Sequence, residues 1–131
     1  MFFLINCILI LLDYKYDYIA NSTILFFYGN SALYEYFYIQ QGDIKYYTNR
    51  NINIVFYNYR GYGDTPGDAN PYTQRKDGEA VIDYLRNTLG IKKLGLHGHS
   101  IGGLSAVLLA NRKKVELLIA DRTFSSIADV V

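Results

Sequence analysis

The sequence predicts an α/β domain, a mostly parallel sheet with helices on both faces. Three observations carry the prediction. Apolar, β-prone runs alternate with segments of helical spacing, and that alternation implies parallel strands joined by right-handed crossovers. The runs are continuous, as in strands buried on both faces. Loops bearing glycine, asparagine or proline separate many of the elements. The 131 residues are read as a single domain, with 1–20 an apolar amino-terminal strand or hydrophobic segment and 22–131 the core of βαβ units.

The opening run "MFFLINCILILL" ends at Asp13. It is too short to span a bilayer, which takes roughly 20 apolar residues. It also lacks the basic flank of a secretory signal. A buried strand or the stub of a longer hydrophobic segment is the reading, with membrane association through this segment as the alternative, so the expected location is cytoplasmic or membrane-associated. "DYKYDY" (13–18) alternates tyrosine with charge, a strand period with one wet face. "STILFFY" (22–28) is a buried strand that breaks at Gly29-Asn30-Ser31.

In the next segment Leu33, Tyr36, Phe37, Ile44 and Tyr47 share one face of a helix spanning 32–50, although Gly42 weakens the pattern. Its tyrosines are read as packing surface. "INIVFYNY" (52–59) is the second core strand and runs into the loop "RGYGDTPGDANPY". A helix with Val81, Ile82, Leu85 and Leu89 inward follows, closed by Gly90 where a left-handed cap belongs.

"KLGLHG" (93–98), "IGGLSAVLLANR" (101–112) and "VELLIA" (115–120) then give strand, helix and strand, with Asp121 just beyond. A loop and the start of a helix are expected over 122–131. The four core strands are expected in the spatial order second, first, third, fourth. Ligands bind beyond the carboxyl ends of such strands, near the switch in order. That singles out the loops at Gly29, Arg60, His99 and Asp121.

Composition excludes several classes. Formal net charge is +1 and no basic-aromatic pattern occurs, so no nucleic-acid partner is expected. Cys7 is the lone cysteine, and His97 and His99 have no further ligands at zinc spacing, so neither a metal site nor a cofactor is expected. "RGYGDTP" puts Pro66 where a dinucleotide loop needs its third glycine. Arg60 and Asp64 are expected to brace that loop.

Chemistry concentrates at Gly98-His99-Ser100-Ile101-Gly102, a G-x-S-x-G sequence between strand and helix. So tight a reversal pushes the serine into a strained backbone conformation with its hydroxyl clear of the sheet. β-Carbons at Gly98 or Gly102 would clash. Ser100 is the candidate nucleophile. The amino end of the following helix favours negative charge, so the Ile101 N–H is one oxyanion donor and the backbone N–H of Asn30 the other. His97 is expected to be a packed strand residue. His99, adjacent to Ser100 across the bend, is disfavoured as its base, and Asp121 is expected to be structural, with no histidine to orient.

Four segments in order, "FYGNS", "NYRGYGDTPG", "HGHSIGG" and "ADRTFSSI", resemble the α/β-hydrolase superfamily, nearest its serine aminopeptidase-like and Bem46-like branch. The resemblance spans roughly 22–131. It implies a partial α/β-hydrolase fold and hydrolysis of ester, thioester or amide bonds through an acyl-enzyme at Ser100. The substrate would be a small acyl compound or an acylated protein or peptide. Tyr28 departs from the family, which often has histidine there. The family order of nucleophile, acid and base also leaves the later two members unmatched, since no histidine follows His99. The chain therefore reads as truncated at its carboxyl end and inactive alone. A non-catalytic interaction protein retaining the fold is the alternative.

Overall fold

A computed structural model describes residues 8–11, 22–30, 33, 36 and 42–126. The strands are β1 (Ile8–Leu11), β2 (Ser22–Phe27), β3 (Ile52–Tyr57), β4 (Lys93–His99) and β5 (Leu117–Asp121). The helices are α1 (Gly42–Thr48), α2 (Pro71–Asn87) and α3 (Gly102–Lys113). The sheet order is β1-β3-β2-β4-β5, with β1 antiparallel to β3 and the other pairs parallel. The core strands thus stand in the order expected. The amino-terminal run contributes β1; the alternating "DYKYDY" stretch lies outside the described residues.

Burial follows from position in the sheet. β2 and β3 each have a strand on both sides, and all but the first residue of each is buried. Covering a leucine or phenylalanine fully stabilises by roughly 1.5–3 kcal/mol. The polar exceptions satisfy each other. Thr23 and Asn53 are register partners, and the Asn53 Nδ2 donates to the Thr23 Oγ1 at 3.0 Å.

Helices cover both faces. Alternate residues of β4 point to opposite sides. His97 meets α1 through the Tyr47 hydroxyl at 2.7 Å, whereas Gly98 backs onto Ala106 of α3. α2 lies beside α3, joined by Lys113 to Asp83 at 2.8 Å and to Glu79 at 3.2 Å.

The sequence of α2 explains its ends. The Asn70 side chain accepts from the Thr73 N–H, and the Thr73 hydroxyl oxygen accepts from the Asn70 N–H, with Pro71 opening the first turn. Val81, Ile82 and Leu85 are buried as expected, and Gly90 takes the left-handed conformation at φ +69. Leu89 lies past the helix end but still packs against the core.

Three expectations need correction. The helix expected over 32–50 is not one continuous element: α1 begins at Gly42 and ends at Thr48, and Leu33 lies outside any helix; Phe37 lies outside the described residues. Tyr36, expected inward, is 51 % exposed. The last strand runs to Asp121 rather than ending at Ala120, because the ladder with β4 continues to the pair His99 and Asp121.

Candidate active site

Ser100 sits between β4 and α3 with φ +54. A left-handed serine costs on the order of 1–3 kcal/mol and persists only where its surroundings over-determine it. The surroundings are supplied by small residues. A β-carbon at Gly98 would lie 2.6 Å from the Gly103 Cα and 2.9 Å from the Gly102 carbonyl oxygen. One at Gly102 would collide with the Phe27 carbonyl, and one at Gly103 with the Thr123 side chain. The glycines therefore let three backbone segments close on one another around the serine.

Hydrogen bonds hold the bend. The Ser100 N–H donates to the Asp121 carbonyl at 3.0 Å. The Ser100 carbonyl accepts from the Gly103 N–H at 3.0 Å and from the Thr123 hydroxyl at 2.7 Å. Ile101 is helical at φ −59 and serves as the N-cap residue of α3, so the amino end of that helix adjoins the serine.

The loop after β2 passes beside this bend. A β-carbon at Gly29 would stand 3.4 Å from the Ser100 Cβ and 3.9 Å from its Oγ. Asn30 follows in a turn and is exposed. The loop is anchored by tyrosines from the segment after β3. The Tyr59 hydroxyl donates to the Tyr28 carbonyl at 2.9 Å, the Tyr28 hydroxyl to the Asn58 Oδ1 at 2.8 Å, and the Tyr62 hydroxyl to the Asn30 Oδ1 at 2.8 Å. Tyr28 and Tyr59 also stack at 4.6 Å. Tyr28 thus acts as a buried anchor for the loop. Burial, first of all, holds the Tyr59 hydroxyl well above its ordinary pKa, so it stays a donor.

Arg60 braces its loop as expected, with its Nε 2.9 Å from the Asp77 carboxylate of α2. The bond to Asp77 raises the guanidinium's pKa further. Asp64 is exposed in the same loop.

The histidines divide. His97 packs 4.5 Å from the Phe26 ring, and burial lowers its pKa. Its partner Tyr47 is pushed up to about 12, chiefly by burial. His97 is the packed strand residue that was expected. His99 overturns the expectation that Asp121 has no histidine to hold: its Nδ1 lies 3.0 Å from the Asp121 Oδ2. Arg122 reaches the same carboxylate at 3.0 Å, and these bonds, Arg122's first, lower the Asp121 pKa. The cause is register. His99 and Asp121 are 22 positions apart in sequence but paired across parallel strands. Sequence spacing alone carries no such signal. The structure therefore brings Ser100, Ile101, Gly98 and Gly102 together with the Gly29–Asn30 loop. Among the described residues there is no cluster of three or more metal-ligating side chains.

The family model of the alpha/beta hydrolase fold matches residues 22–125. Protein bem46 of Schizosaccharomyces pombe is 31% identical over 90 residues, covering 66% of this chain and 30% of its own length. The uncharacterized membrane protein YNL320W of Saccharomyces cerevisiae is 32% identical over 116 residues, covering 86% of this chain and 40% of its own. Among the described residues no helix is long and apolar enough to cross a membrane. Among solved structures, XC6422 from Xanthomonas campestris, an a/b serine hydrolase without lid, superposes with a TM-score of 0.72 at 17% identity, covering 85% of this chain and 52% of that one. The chain thus spans well under half the length of these two curated relatives. On the family match and the likeness to these relatives, the chain belongs to the alpha/beta hydrolase family and is Bem46-like.

Proposed function

We propose that Ser100 is the nucleophile of a serine hydrolase acting on ester, thioester or amide bonds. The observation that supports this most is the left-handed Ser100 at the amino end of α3, with Gly29 against its side chain. The Oγ attacks an acyl carbon, the carbonyl oxygen becomes an oxyanion, and expulsion of the leaving group leaves an acyl-serine that water hydrolyses. The backbone N–H groups of Ile101 and Asn30 are the oxyanion donors of this reading. Losing one such donor costs on the order of 100- to 1000-fold in rate.

Attack also needs a base on the hydroxyl. A bond to a carboxylate orients a catalytic histidine, but no hydrogen bond joins His99, the neighbour of Ser100 across the bend, to the serine hydroxyl, and His97 is held by Tyr47, so neither is assigned that role. In a comparable triad, loss of the base costs on the order of a millionfold. The 131-residue chain is therefore expected to turn over little, full activity belonging to a polypeptide that supplies acid and base. Incubation with a fluorophosphonate probe, read by peptide mass spectrometry, tests this. Slow modification confined to Ser100 and abolished by Ser100→Ala is the expected result. Modification as fast as in an intact hydrolase would place a base within this chain. No modification of Ser100 on prolonged exposure would remove the nucleophile and favour a non-catalytic binding role.

A further inference from the structure

We propose that the segment closing β5, Asp121–Thr123, is a clamp that sets the orientation of Ser100, with Thr123 as a positioning residue. The inference rests on the reading of Ser100 as nucleophile and adds a residue to it. Both backbone polar groups of Ser100 are taken by this one segment, the N–H by the Asp121 carbonyl at 3.0 Å and the carbonyl by the Thr123 hydroxyl at 2.7 Å. The preceding residue is gripped too, through His99 Nδ1 and the Asp121 carboxylate at 3.0 Å.

The backbone of the clamp is shaped for the purpose. Arg122, between the two contacting residues, is left-handed at φ +46. That turn brings the Asp121 carbonyl and the Thr123 side chain to the same bend, while Arg122 itself stays exposed and holds the Asp121 carboxylate at 3.0 Å. Two non-glycine residues of positive φ, Ser100 and Arg122, thus directly follow His99 and Asp121, the last register pair of β4 and β5. Thr123 also fills the space that Gly103 leaves open, so it is seated against the first turn of α3. The Ser100 carbonyl already has the Gly103 N–H at 3.0 Å, which closes the turn, and the threonine hydroxyl is a second donor that comes from the loop after β5. The first bond shapes the bend; the second fixes it relative to the sheet, and therefore relative to the Gly29–Asn30 loop.

The test compares the full chain with Thr123→Val, which keeps shape and removes the hydroxyl, and Thr123→Ser, which restores it; Thr123→Ala replaces the valine variant if that fails to fold. Amide hydrogen exchange is followed by NMR, together with fluorophosphonate labelling of Ser100. The clamp predicts exchange at Ser100 and Gly103 faster by roughly two- to tenfold in Thr123→Val, the range for one lost hydrogen bond. Serine should restore it, and the rest of α3 and β5 should be unchanged. Labelling should slow by a similar factor and recover with serine. Unchanged exchange, or acceleration spread evenly over α3 and β5, overturns the proposal. If the parent chain does not label, the nucleophile reading fails, and the exchange pattern still decides whether the clamp exists.

Discussion

β2 and β5 are both short, apolar and parallel to β4, yet they sit in different surroundings. Leu25 and Phe27 of β2 are 0 % exposed, whereas Leu117 and Leu118 of β5 are 49 % and 37 % exposed. β2 lies between β3 and β4; β5 pairs with β4 alone among the described strands. A groove of about 390 Å³ is lined by Leu104, Val107 and Leu108 of α3 and by Thr123, Phe124 and Ser125 after β5. Composition sets which residues can be buried, and neighbours decide which of them are. The less buried strand nevertheless carries the contacts to Ser100, through Asp121 and the residues after it. Depth in the core and closeness to the site are separate properties here.

The largest effect that would sharpen this contrast is expected at β2. Leu25→Ala should destabilise by about 3 kcal/mol, within the range for buried leucine truncation, as read by urea unfolding. A loss below about 1 kcal/mol would show that β2 is less tightly covered than its burial implies. An intermediate effect is expected at His97, which lies between Phe26 of β2 and Ile119 of β5. Its pKa is lowered in the folded chain, so the unfolded chain binds the proton first as pH falls. Stability is then full above the unfolded value of about 6.5 and falls as pH drops through the folded value. The slope is at most about 1.4 kcal/mol per pH unit, the limit for one proton. His97→Asn, which keeps an acceptor for Tyr47, should flatten the curve below pH 6.5 in acid titrations of unfolding; an unchanged curve would refute the assignment. The smallest effect is expected at β5. Leu118→Lys should alter stability by no more than about 0.5 kcal/mol in the same urea unfolding. A loss as large as that of Leu25→Ala would erase the difference between the strands.

Much of this was legible in the sequence because it depends on local chemistry. The spacing of Gly98, Ser100 and Gly102 encodes a bend that only small flanking residues permit, and continuous apolar runs encode strands covered on both faces. The inward face of α2 and its Gly90 stop were readable for the same reason. Contacts made by register were not. The Asp121 bonds to His99 and Ser100 arise because β5 stops level with β4, and nothing in "ADRT" alone gives that alignment. Nor does a tyrosine-rich loop reveal that Tyr59 and Tyr62 reach across to Tyr28 and Asn30. The inward position expected for Tyr36 failed because helical spacing says which residues share a face, not whether anything packs against it.

The way Thr123 occupies the room left by Gly103 has a genetic corollary. Any codon change that adds a methyl group at position 103 must displace the threonine, so the two sites, twenty residues apart in sequence, cannot drift independently. Across descendants of this gene, a larger residue at 103 should be inherited together with a smaller one at 123, and lineages that kept the threonine should have kept the glycine.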